Sequence, residues 1–279
     1  MNVQAAVSGQ LNYWEWARAA HNFLRHRDLL WQMVSTDLRG RYVGSTLGMF
    51  WSIIHPLVLI SIYTLVFSHV MQARLAGNSG PYDYSVYLCA GLLPWMAFQE
   101  ILTRCTTVFL DQANLVKKVA FPKTLLHGYV LGAAGMNLAL MLMAFFFFLL
   151  LIGHPLTWSF CLWPLFLLLQ LLFATGLGFF ASVLNVFFRD TAQVVSVFLQ
   201  FWFWLTPIVY PPGVLPEGFY FLLSLNLLYR FIQVHQELVL TGRLPSGTDT
   251  TFLVGLSLVA LVGGVGFFRL LRRRIPDEL

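Results

Sequence analysis

Charge is what this sequence has least of. Only 10% of its 279 residues are Asp, Glu, Lys or Arg, against roughly 25% in ordinary soluble domains. Hydrophobic residues make up 58%. A water-soluble core cannot hide that much apolar surface, so the solvent for most of the chain is expected to be a bilayer. Lysine is scarcer still, present only at positions 117, 118 and 123 and never after a glycine. That excludes a nucleotide-binding P-loop. "GRYVGST" (40–46) comes nearest, but its glycines are one residue too close and the phosphate-reaching lysine is missing. No D-x-D is present to hold a metal and a sugar nucleotide, which argues against a glycosyltransferase. The seven histidines (21, 26, 55, 69, 127, 154, 235) have no H-x-H or H-x-x-x-H spacing suited to a metal on one helix. Cys89, Cys105 and Cys161 are odd in number and far apart within apolar runs, so they read as small hydrophobes rather than a disulfide framework. A cleavable signal is not expected, because the first 28 residues lack an apolar h-region and carry Trp14, Glu15, Trp16, Arg18 and Arg25. Neither catalysis nor a resident cofactor or metal is expected of this chain.

What the sequence does have is long apolar runs. A membrane helix needs about 20 mostly apolar residues, and six segments qualify: about 47–71, 85–109, 127–152, 160–184, 193–210 and 251–271. The fold class is therefore an all-α membrane protein of six transmembrane helices. A further apolar piece, "FYFLLSLNLLY" (219–229), is too short to cross and is read as part of a re-entrant or interfacial segment, about 211–249, between spans five and six. Residues 1–46 form an N-terminal region, 47–271 the membrane domain and 272–279 a tail. An even number of spans puts both termini on one side. Of the 17 Lys and Arg, only Arg74, Arg230 and Arg243 fall on the other side, so the positive-inside rule places both termini in the cytoplasm. The net charge of +5 then reflects topology, not nucleic-acid binding.

Several stretches admit more than one reading. Between Leu11 and Val34, tryptophans and leucines mix with Arg18, Arg25 and Arg27, as in an amphipathic helix lying among lipid headgroups; a solvated cytoplasmic helix is the alternative. Gly40, Gly44 and Gly48 share a helix face and suit close helix packing, with flexibility or ligand contact as rivals. Glu100 and Arg104, at i and i+4 inside the second span, form an expected intramembrane ion pair, either snorkelling and structural or gating. In "DQANLVKKVAFPKTLLHG" (111–128), Pro122 predicts a short helix, a break and a second helix, presenting Leu115, Val116 and Phe121 to a cytoplasmic partner; an ordinary basic loop is the bland alternative. Asp190, in the second such loop, is placed to cap the helix that follows. Phe50, Trp51, Tyr63, Phe201, Trp202 and Trp204 read either as interfacial belts or as an aromatic-lined path on which sugar rings would stack.

Four segments in order, "LLWQMVSTDLRGRYVGSTLGMFWSIIHPLVLISIYTLVFSHV" (29–70), "LCAGLLPWMAFQEIL" (88–102), "NLVKKVAFPK" (114–123) and "NVFFRDTAQVV" (185–195), resemble the permease subunits of ABC transporters that export polysaccharides: O-antigen, capsule and teichoic-acid exporters. The resemblance implies a bacterial inner-membrane protein, two copies of which form a path, each docked on a separate ATPase subunit holding ATP and Mg. It implies that Asn114, Leu115, Lys117, Lys118, Phe121, Pro122 and Lys123 couple to that ATPase, with Arg189 and Asp190 in a second contact. The expected substrate is a glycan on undecaprenyl diphosphate, O-antigen first, with Arg25, Arg27, Arg39 and Arg41 where the diphosphate arrives. An exporter of another lipid or a drug, or a non-transporting scaffold of polysaccharide synthesis, are the rivals. The family commonly carries Asn-Pro in the external segment, where this chain has Asn226-Leu227.

Overall fold

The computed structural model describes residues 26–40, 50–66, 80, 82–118 and 122–279. Among the described residues the chain is helical, with no strand. The helices are α1 (Arg27–Gly40), α2 (Trp51–Tyr63), α3 (Asp83–Asp111), α4 (Ala113–Lys118), α5 (Leu125–Leu151), α6 (Trp163–Phe187), α7 (Thr191–Leu205), α8 (Tyr220–Leu225), α9 (Leu227–Leu240), α10 (Gly247–Leu271) and α11 (Ile275–Glu278). Four are long and apolar enough to cross a bilayer: α3, α5, α10, and α6 together with the 3-10 turn Trp158–Leu162 that leads into it. Within the other two expected spans the described residues give shorter apolar helices, α2 and α7. α7 has 15 residues, which at ~1.5 Å each cover about 22 Å of a hydrocarbon core near 30 Å. It stops because Pro207 holds Thr206 in an extended conformation.

α3 and α6 form the centre. The most apolar window of α3 is 78% buried, whereas that of α5 or α10 is 33% buried and turns its other side outward. α6 and α10 touch backbone to backbone: a Cβ on Gly264 would strike the Gly176 carbonyl, and one on Gly176 would strike the backbone of Ala260 and Leu261. Ser257 fastens the same pair by donating to the Leu169 carbonyl at 2.9 Å. Gly178 likewise leaves room for Cys105 of α3.

One end of the bundle is defined by a cluster of packed rings from four helices: Phe109 (α3), His127 (α5), Phe179 (α6) and Phe268 (α10). Lys117, Lys123, Arg189 and Arg272 follow or precede these helices at the same end, here termed the basic end. At the opposite end, α8 and α9 meet at Asn226. Its Oδ1 accepts the backbone N–H groups of Leu228 (3.2 Å) and Tyr229 (3.3 Å), capping α9. Leu227 takes the first helical position, where the backbone N–H is not needed, and the Asn226 cap forms without a following proline. α9 then lies against α3 and α6, burying Phe231, Ile232, His235 and Leu238. Trp163 can only donate, so His235 Nδ1 accepts at 3.1 Å. His235 Nε2 therefore carries the proton and donates to Gln170 Oε1 at 2.7 Å, and Gln170 donates to the Pro94 carbonyl at 3.1 Å. That chain of buried donors and acceptors leaves no polar atom of the four groups wanting.

Candidate functional site

At the basic end, α1, α3 and α5 meet around one guanidinium. Arg104 and Glu100 lie one turn apart on α3 and pair at 3.2 Å. The structure adds partners from two further helices. Asp37 of α1 accepts from Arg104 at 2.6 Å, and the guanidinium also donates to the Tyr129 hydroxyl of α5 at 3.0 Å. Asn137 donates to the second Glu100 oxygen at 2.8 Å. The three charged side chains are 16–22% exposed. Arg104 lies seven residues from the end of α3, about 10 Å along the axis, which puts it near a hydrocarbon boundary rather than mid-membrane. Asp37 could not be picked out beforehand, because its partner is 67 residues away.

α1 runs on through Gly40, past Val34, where the amphipathic pattern suggested an end. It packs on α5, with Val34 buried against Gly132. Arg27 and Arg39 are both exposed but stand at opposite ends of α1, about 18 Å apart. Arg25, Arg41, Gly44 and Gly48 lie outside the described residues. Among the described residues, a Cβ added at Gly40 would meet nothing within 4 Å. The close approaches occur instead at Gly176 and Gly264, in "ATGLG" and "VGGVG", where small residues at helical spacing were the available signal.

The helix, break and second helix predicted around Pro122 are present as α4 and α5. Asn114 and Lys117 are exposed, and Pro122 and Lys123 half-buried. Val116 is buried at 5% exposure, so it anchors α4 to the bundle rather than facing a partner, a correction to the expected presentation. Phe121 and the Lys118 side chain lie outside the described residues. Leu115 lines a cleft of about 350 Å³ with Leu29, Met33 and Asp37 of α1, Gln112 and Tyr129. Arg189 and Asp190 are exposed in the turn before α7. Asp190 makes no capping bond; Asn185 does so, accepting the Ala192 N–H at 3.1 Å.

The aromatic residues divide. Phe50, Trp51, Phe201 and Trp204 are exposed, on α7 and at the start of α2. Tyr63 and Trp202 are half-buried, and Trp202 turns into the protein. Its ring meets Phe98 edge-on and its N–H donates to Asn226 at 2.8 Å. α2 packs on α5 and α7 on α3.

Sequence comparison accords with this arrangement. The chain is 28% identical over 264 residues to the O-antigen export system permease protein RfbA of Myxococcus xanthus, covering 94% of this chain and 99% of that protein. A protein of the same name from Klebsiella pneumoniae is 30% identical over 254 residues, 90% of this chain and 95% of the relative. The polysialic acid transport protein KpsM of Escherichia coli is 24% identical over 243 residues, 84% and 89% of the two chains. The ABC-2 type transporter family model matches residues 28–240, well over half of the chain, from α1 through α9, and the chain belongs to that family.

Proposed function

We propose that this chain is the membrane-spanning subunit of an exporter that moves a lipid-linked polysaccharide, O-antigen first, across a bacterial inner membrane. The similarity to O-antigen export permeases over nearly their whole length carries this reading. In it, α2 and α7 complete a six-span unit with the four long helices, α8 and α9 form the external re-entrant pair, and the basic end faces the cytoplasm. Two copies assemble around the path, and ATP and Mg are bound by two separate ATPase subunits. The exposed Asn114 and Lys117 on α4, with Arg189 and Asp190, offer polar contacts to those subunits. Arg25, Arg27, Arg39 and Arg41 draw the carrier diphosphate toward this end through their positive charge at headgroup level. Phe50, Trp51, Phe201 and Trp204 give sugar rings flat apolar faces.

Deletion of the gene in its host tests the proposal. Long-chain surface polysaccharide should vanish and diphosphate-linked glycan accumulate inside, with both reversed by the wild-type gene. Unchanged surface polysaccharide, with loss of another exported lipid, would sink it. The similarity to a polysialic acid transport protein supports a second reading, in which capsule rather than O-antigen is lost.

A further inference from the structure

We infer that Asp37 and Arg104 are positioning residues that latch α1 onto the bundle, and that this latch must open for substrate to pass the basic end. The inference rests on the export reading for its functional half and on geometry for the rest. The apolar hold of α1 is modest: Val34 is its one buried residue and Leu30, Met33 and Leu38 are half-buried against the core, while Trp31, Arg27 and Arg39 are exposed. Against that, the Asp37–Arg104 bond, at 2.6 Å between side chains about four-fifths buried, is a charge-assisted contact at the edge of the hydrocarbon.

The arrangement is built to release. Arg104 is also held by Glu100 on its own helix and by Tyr129 on α5, and its guanidinium lies 5.5 Å from the Tyr129 ring centroid. When α1 leaves, the cation keeps both partners and is not stranded, while Asp37 departs with a helix whose exposed Arg27, Trp31 and Arg39 suit the headgroup layer. A staple meant to be permanent would leave a buried charge unpaired when broken, which is far costlier. The cleft beside the latch is shared by Asp37, Tyr129 and Leu115. Movement of α4 would therefore be felt directly at the Asp37 end.

A disulfide tests this. A Cβ on Gly132 would lie 3.0 Å from Val34 Cγ2, within reach of disulfide geometry. In a protein carrying Cys89→Ala, Cys105→Ala and Cys161→Ser, Val34→Cys with Gly132→Cys should cross-link readily in membranes holding the partner ATPase. Asp37→Asn and Arg104→Gln should each slow cross-linking about tenfold. Arg104→Lys should restore part of the rate, and Glu100→Gln should leave it high. If Arg104→Gln does not reach the membrane, Asp37→Asn removes the same ion pair and keeps the Glu100–Arg104 pair. The oxidised protein should stop exporting polysaccharide and regain export on reduction. Equal cross-linking in Asp37→Asn and wild type would overturn the latch, as would full export by the oxidised protein. If the protein with its natural Val34 and Gly132 exports nothing, the export reading fails, and the cross-linking series alone decides whether Asp37 and Arg104 position α1.

Discussion

Two carboxylates and a phenol meet the Arg104 guanidinium, and that company is what makes a charge tolerable so near the hydrocarbon. Arg104→Leu would remove the guanidinium that Asp37 and Glu100 share, and the detergent-solubilised protein should lose about 3 kcal/mol, read as a lower melting temperature. Replacing Glu100 by Gln should cost less, since Asn137 can still bond the amide oxygen. Asn226 concentrates five bonds: it caps α9, accepts from Trp202 and donates to Leu205 and Thr206 at the end of α7. Asn226→Ala should cost about 2 kcal/mol by the same assay, whereas Leu227→Pro should be nearly neutral. At this scale the sequence discloses what is local. Glu100 and Arg104 could be paired from a spacing of four, and Pro122 from its own stereochemistry. Asp37 and Trp202 bond to Arg104 and Asn226 only through tertiary contact, which no short-range pattern encodes.

Helices show the same division. Apolar length alone marks α3, α5, α6 and α10, because the bilayer imposes it on every residue of a span. α7 is harder to delimit, since Thr206-Pro207 ends it within an apolar run. Glycine patterns state only that close approach is permitted; the neighbour decides whether it happens, as it does at Gly176 and Gly264 and, among the described residues, not at Gly40. Gly264→Ala should therefore destabilise the protein by about 1–3 kcal/mol, and Gly40→Ala should have little effect. On α4 the two adjacent residues should separate packing from coupling. Val116→Ala should lower the melting temperature, because the side chain is buried. Lys117→Glu should leave folding intact and weaken capture of the ATPase, measured by pull-down from solubilised membranes; unchanged capture would remove α4 from that contact.

For the whole molecule, the distribution of charge gives an orientation that labelling can check. A cysteine at Lys117 or Arg273 should react with a membrane-impermeant maleimide only after the inner membrane is opened, and one at Ser246 before. The decisive experiment joins orientation, partner and substrate. The chain and its ATPase are reconstituted in proteoliposomes containing undecaprenyl diphosphate-linked polysaccharide, and appearance of the glycan on the face opposite the ATPase is followed after addition of ATP. The account predicts ATP-dependent transfer of that glycan and none of ordinary phospholipid; phospholipid moved equally well, or glycan left in place while ATP is consumed, would contradict it.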